Sequence, residues 1–140
     1  MYHNILHATD LSSNHFKMCE KAVKIAHSFH AQLFLLHVIE PPASLQLAQG
    51  LGFAEFYHPM KEDAQAVMRT VGDALKIPVS HQFVEIGSIK MHILEKVDEL
   101  NCDLIIMGSH GPSKLPAFLG STAHAVVHKA KCDILTLQSD

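Results

Sequence analysis

The run Leu33-Phe34-Leu35-Leu36-His37-Val38-Ile39 is nearly continuous in its apolar character, and Pro41-Pro42 stops it. A strand with one wet face alternates apolar and polar residues, whereas a strand buried on both faces does not. The segment therefore reads as a central strand of a parallel sheet, covered by helices on both sides. Few folds accept such an element.

The rest of the chain supplies the helices. Ile5 to Ala8 reads as a first strand ending at Thr9-Asp10-Leu11-Ser12-Ser13, with Ser12 or Ser13 as the helix cap. Phe16, Cys19, Val23 and Ala26 then recur at helical spacing. Residues 41–58 hold Gly50, Gly52, Phe53, Phe56 and Tyr57 and read as a long surface connection, with room for a short helical turn, that shapes access to one end of the sheet. A helix over Lys61–Lys76 is ended by Pro78, and Val79–Ile86 alternates as a strand. Gly87-Ser88 caps a helix whose inner face is Ile89, Ile93, Val97 and Leu100. Asp103–Met107 is a further strand, a loop runs from Gly108 to about Phe118, and a helix from Gly120 to Ala130 precedes a last strand, Asp133–Leu137. The order is βαβ, loop, αβαβαβ, without internal repeats. Such alternation predicts right-handed crossovers and a three-layer, doubly wound α/β fold with five parallel strands and four helices.

Composition narrows the function. The 140 residues suit one domain over 1–140, 48% apolar and 18% charged, with a net charge of −3. Lys and Arg are scattered, so no basic face for duplex nucleic acid is expected. Cys19, Cys102 and Cys132 are odd in number and lack CxxC spacing, as small buried side chains of a reducing compartment do. The short apolar run after Met1 reaches only to Asp10, which is not a secretory pattern, and no stretch approaches a membrane span. A cytoplasmic domain without membrane partners is expected.

Open α/β sheets bind ligands beyond the carboxyl ends of their strands, where strand order reverses. The segments that follow strands are therefore informative. After the fourth strand comes Gly108-Ser109-His110-Gly111, and later Gly120-Ser121-Thr122 opens a helix. Glycine lets backbone N–H groups approach an anion, and a helix start adds unpaired donors and positive dipole. Phosphate binding and an ordinary turn with a Ser/Thr cap are both open on spacing alone. The loop is neither a Walker A motif nor GxGxxG. Asp10 is either a ribose-binding carboxylate or a solvated turn residue, and His110 is either a phosphate contact or a bystander. Among 12 histidines, His3/His7 and His124/His128 have spacings that share a face, yet no zinc-type Cys/His cluster occurs. No metal held by side chains and no catalytic constellation is expected.

Taken together, Asn4–Ser12, Leu36-His37-Val38-Ile39, Asp103–Gly111, Gly120-Ser121-Thr122 and Cys132–Leu137 resemble the universal stress protein family over essentially the whole chain. The resemblance implies strand order 3-2-1-4-5 in an adenine-nucleotide alpha-hydrolase-like fold, with Asp10 facing the Gly108 loop across a crevice. The family's ATP-binding branch carries G-x2-G-x9-G-[ST]. By that pattern Gly108, Gly111, Gly120, Ser121 and Thr122 would hold phosphates, with Met107, Ser109 and His110 lining the same loop. Thr9 and Asp10 would face the ribose or adenine side, and Val38 would meet adenine through its backbone. Here the spacer Pro112–Leu119 has eight residues where the pattern has nine, as in other members with a proline at that place. Members that do not bind ATP lack these glycines.

The resemblance thus implies an ATP-binding stress or signalling module, with magnesium brought by the nucleotide and little or no turnover. The alternative is a nucleotide-independent interaction protein of the same fold. An adenylating enzyme is disfavoured, since Thr9-Asp10-Leu11-Ser12-Ser13 lacks the glycines of a pyrophosphate loop. The resemblance also implies a homodimer paired through Cys132–Leu137, an apolar strand expected at a sheet edge.

Overall fold

A computed structural model describes residues 1–42, 53–109 and 121–138, with residues 53–56 and 121 described as backbone only. Five strands form the sheet: β1 (Asn4–Ala8), β2 (Gln32–Ile39), β3 (Gln82–Ile86), β4 (Leu104–Gly108) and β5 (Asp133–Leu137). The helices between them are α1 (His15–Phe29), α2 (Phe53–Leu75), α3 (Ile89–Leu100) and α4 (Ser121–Lys129). All pairs are parallel, in the order β3-β2-β1-β4-β5. The fold class and strand order expected from the sequence are those observed.

Strand side chains alternate between two cores, which is why the strand sequences look uniformly apolar. Ile5, Leu33, Leu35, Leu104 and Ile106 point to one face, where they meet Cys19, Ala22 and Ala26 of α1 and Ala64, Met68 and Val71 of α2. Leu6, Phe34, Leu36, Ile105 and Met107 point to the other, against Ile93 and Val97 of α3 and Ala123 and Val126 of α4. Single positions in β2 therefore serve opposite layers. At about 25 cal/mol per Å² of apolar surface, each fully buried Leu or Ile contributes roughly 2–3 kcal/mol of burial free energy.

Several local expectations need correction. The helix placed at Lys61–Lys76 begins at Phe53 and carries Pro59 inside it. Tyr57 is buried there, so tertiary packing offsets the backbone bond that proline removes. Of the expected 41–58 connection, residues 43–52 lie outside the described residues. Val79–His81 forms one 3-10 turn rather than the start of a strand. The ladder begins only where Gln82 meets Leu35, while the His81 Nδ1–H donates to the Leu33 carbonyl at 3.0 Å and its ring lies 4.3 Å from that of Phe34.

Neither Ser12 nor Ser13 caps α1. Asn14 occupies that position without a side-chain cap bond, and the Ser12 hydroxyl donates to Asn14 Oδ1 at 3.0 Å instead. Phe16 is 40% exposed, so the buried stripe of α1 is Cys19, Ala22 and Ala26, small residues that let the helix approach the sheet. Ser88 does cap α3, accepting the Met91 N–H at 3.2 Å. Cys19, Cys102 and Cys132 are free thiols, and burial pushes Cys19 and Cys102 up to about 12, which makes them inert. Among the described residues, no helix is long and apolar enough to cross a membrane.

Candidate functional site

The reversal of strand order falls between β1 and β4, and the registers there leave a notch. The β1–β2 pairing ends at Ala8–Leu36, and the β1–β4 pairing ends at His7–Ile106. Beyond those points β2 continues to Ile39 beside β3, and β4 continues to Gly108 beside β5. Both neighbours therefore overhang the end of β1. The chain leaving β1, Thr9-Asp10-Leu11, forms the floor.

That floor is fixed by short-range bonds. The Thr9 N–H donates to the Leu36 carbonyl at 2.9 Å, and its own carbonyl accepts the His37 Nδ1–H at 2.8 Å. Thr9 is buried, and its hydroxyl oxygen accepts the Leu11 N–H at 3.1 Å. Leu11 has φ of 54°, a left-handed turn that reverses the chain immediately beyond the notch. Asp10 is exposed and accepts the Ser12 N–H at 2.9 Å, which leaves most of its acceptor capacity on the solvent side.

The walls hold more of the expected residues. Val38 is buried in the layer under α3, so only its backbone is available to a ligand. Met107 packs into the same layer, Gly108 ends β4, and the buried Ser109 extends the ladder by donating its N–H to the Leu137 carbonyl at 3.0 Å. Ser121 opens α4 and Thr122 is half-buried in its first turn. His110, Gly111 and Gly120 lie outside the described residues. Thr9, Asp10, Val38, Met107, Gly108 and Ser109 thus share one edge of the sheet. His3 and His7, whose spacing could share a face, are not brought together: His3 sits at the amino end, 3.3 Å from Asp103, whereas His7 is buried four residues further along the strand.

Three residues at this edge take roles that the sequence did not assign. Glu40 follows β2 and accepts the Ile89 N–H at 2.7 Å, closing the amino end of α3 together with Ser88. An open helix start that would attract an anion is thereby occupied by the protein's own carboxylate. His37 ties β2 to the end of β1. His7 donates its Nδ1–H to the Ile106 carbonyl at 3.0 Å, across the strand reversal, and its buried Nε2 has no partner among the described residues. Burial holds His7 below the ordinary imidazole range, against the opposing bond to Ile106 and the charge of Asp10. A histidine within an otherwise apolar strand was the available signal for both rings.

The whole-chain pattern has a match. A model described as the universal stress protein family fits residues 1–138. The chain belongs to the universal stress protein family. This stress-response family supplies close relatives. Universal stress protein A homolog 2 from Coxiella burnetii (strain RSA 493 / Nine Mile phase I) is 37% identical over 139 residues, covering 98% of this chain and 95% of that protein. The solved universal stress protein UspA from Lactobacillus plantarum superposes with a TM-score of 0.78 at 23% identity, covering 97% of each chain. A solved universal stress protein in complex with cAMP superposes with a TM-score of 0.65 at 20% identity, covering 99% of this chain and 98% of the other. These likenesses to solved structures establish the fold.

Proposed function

We propose that this universal stress protein binds an adenine nucleotide, ATP with magnesium, in the notch beyond β1, and acts as a stress or signalling module with little or no turnover. The observation that carries the reading is the double overhang: β2 and β4 both run past the end of β1, with the exposed Asp10 carboxylate on the floor between them. A carboxylate with spare acceptor capacity suits ribose hydroxyls. Val38 offers a backbone edge to the base. The Gly108, Gly111, Gly120, Ser121 and Thr122 pattern suits phosphates, because glycine-flanked N–H groups and a helix start are the donors an anion needs. A family member of the same fold in complex with cAMP adds support for an adenine ligand. No group of three or more metal-binding side chains occurs among the described residues, so magnesium would be held chiefly by the phosphates.

Calorimetry with ATP and AMP, with and without magnesium, tests the proposal. ATP is expected to bind near micromolar, about 8 kcal/mol. Gly111→Val or Gly120→Val should remove most of the preference for ATP over AMP, and Ser121→Ala should weaken ATP about tenfold. Asp10→Ala should weaken both nucleotides alike, since it serves the part they share. Wild-type affinity in both glycine variants would overturn the phosphate assignment.

A second reading, a nucleotide-independent interaction module, draws on β5. This edge strand is covered on one side only by β4, and Leu135 is 37% exposed. An apolar edge with unpaired backbone groups favours two-fold pairing with a second copy. A homodimer through Cys132–Leu137 is compatible with either reading, and Leu135→Pro should abolish it in sedimentation equilibrium.

A further inference from the structure

The exposed face of α4 carries two histidines that neither the fold nor the nucleotide reading employs. Ala123 and Val126 turn inward against the sheet, so the outward side of this helix presents His124 and His128. Four residues apart on a helix, their Cβ atoms lie about 5–6 Å from each other. Their rings meet edge to face with centroids 4.5 Å apart. Among the described residues neither ring has a hydrogen bond or ion pair to another group. Two other exposed histidines are already engaged: His58 faces Glu62 at 3.1 Å, and the His30 Nδ1–H donates to the His27 carbonyl at 3.3 Å.

We propose that His124 and His128 chelate one borderline divalent transition cation of the Zn²⁺, Ni²⁺ or Cu²⁺ class on the surface of α4. Imidazole nitrogens bind such ions at about 2.0–2.1 Å, so two ligating nitrogens stand about 3.4 Å apart on a tetrahedral ion. Exposed rings already in contact reach that separation by side-chain rotation alone. The donor set selects the ion: two nitrogens without a carboxylate disfavour Mg²⁺ and Ca²⁺, which take oxygen ligands. His128 also lies in the last turn of α4, where the helix dipole favours a cation. The remaining coordination positions stay open to water or to a ligand presented by another molecule. The proposal does not rest on nucleotide binding.

Zn²⁺ titration of the nucleotide-free full chain by calorimetry, at pH 7.5 with excess Mg²⁺, tests the site. One ion per chain is expected. His124→Gln and His128→Gln should each weaken it at least about tenfold, because a chelate becomes a single ligand. His58→Gln should leave it unchanged, and at pH 5.5 protons should displace the ion. Circular dichroism checks that the variants keep their helices. Unchanged affinity in the double variant, an equal loss in His58→Gln, or one ion per two chains would each overturn the proposal.

Discussion

At the amino end of the sheet, Asp103 accepts the N–H groups of His3 at 2.9 Å and Asn4 at 3.1 Å, and Asp133 accepts the Tyr2 hydroxyl at 2.6 Å. Asn4 Nδ2 reaches the Leu100 and Asn101 carbonyls, both at 3.3 Å, tying β1 to the turn before β4. At the carboxyl end, Asp10 accepts only the neighbouring Ser12 N–H among the described residues. Like residue types therefore do different work. The amino-end carboxylates Asp103 and Asp133 cross-link segments distant in sequence, whereas Asp10 holds a local turn. A carboxylate spent on folding has little left for a ligand, and in that respect Asp10 and Asp103 differ.

Substitutions can break that comparison, and the largest effect should fall at His7, whose ring ties β1 to β4. His7→Ala removes a fully buried ring and its bond to β4, and should cost about 2–4 kcal/mol in urea unfolding. The residue also sets a pH dependence. Its folded-state affinity for protons is lowered by burial, so the unfolded chain binds the proton first as pH falls below about 6.5. Stability is then lost on acidification at up to about 1.4 kcal/mol per pH unit, and is fully present above that range. His7→Leu should flatten this part of the curve between pH 7.5 and 5.5. An unchanged slope would show that other histidines govern it.

Asp103→Ala should come next. Its carboxylate is 38% exposed, so solvent reduces the value of its bonds to about 1–2 kcal/mol. Although desolvation acts the other way, the His3 and Asn4 N–H groups hold this carboxyl below the ordinary range. Its contribution is thus present above about pH 4 and disappears as pH falls through its folded value. Ser88→Ala removes the cap of α3 and should cost about 1 kcal/mol. Asp10→Ala should change stability least, within about 0.5 kcal/mol, while weakening nucleotide binding. If Asp10→Ala destabilises the fold as much as Asp103→Ala, the contrast between the two ends fails.

The sequence made the elements legible because their signals are local. Val38 and Leu36 revealed a two-faced strand through an unbroken apolar run, and Ser88 announced a helix start three residues before the N–H it accepts. Phe53 misled, since the nearby glycines mark a loop in a local reading, while burial of Tyr57 is a tertiary fact. Ser12 looked like a cap by residue type, but its hydroxyl had a nearer acceptor in Asn14. Asp10 and the glycines were recognisable from composition and order. The bond between Glu40 and Ile89 was not, because the two lie 49 residues apart.

By itself the sequence determined which segments are strands and helices and which residues lie within them, since periodicity and turn chemistry act over a few neighbours. With the family resemblance, it also gave the strand order. Only the tertiary structure decided how far β2 and β4 overrun β1, which histidine is buried, and which carboxylate remains available. Those are questions of register and of contacts between distant segments, and register is settled where whole faces pack together.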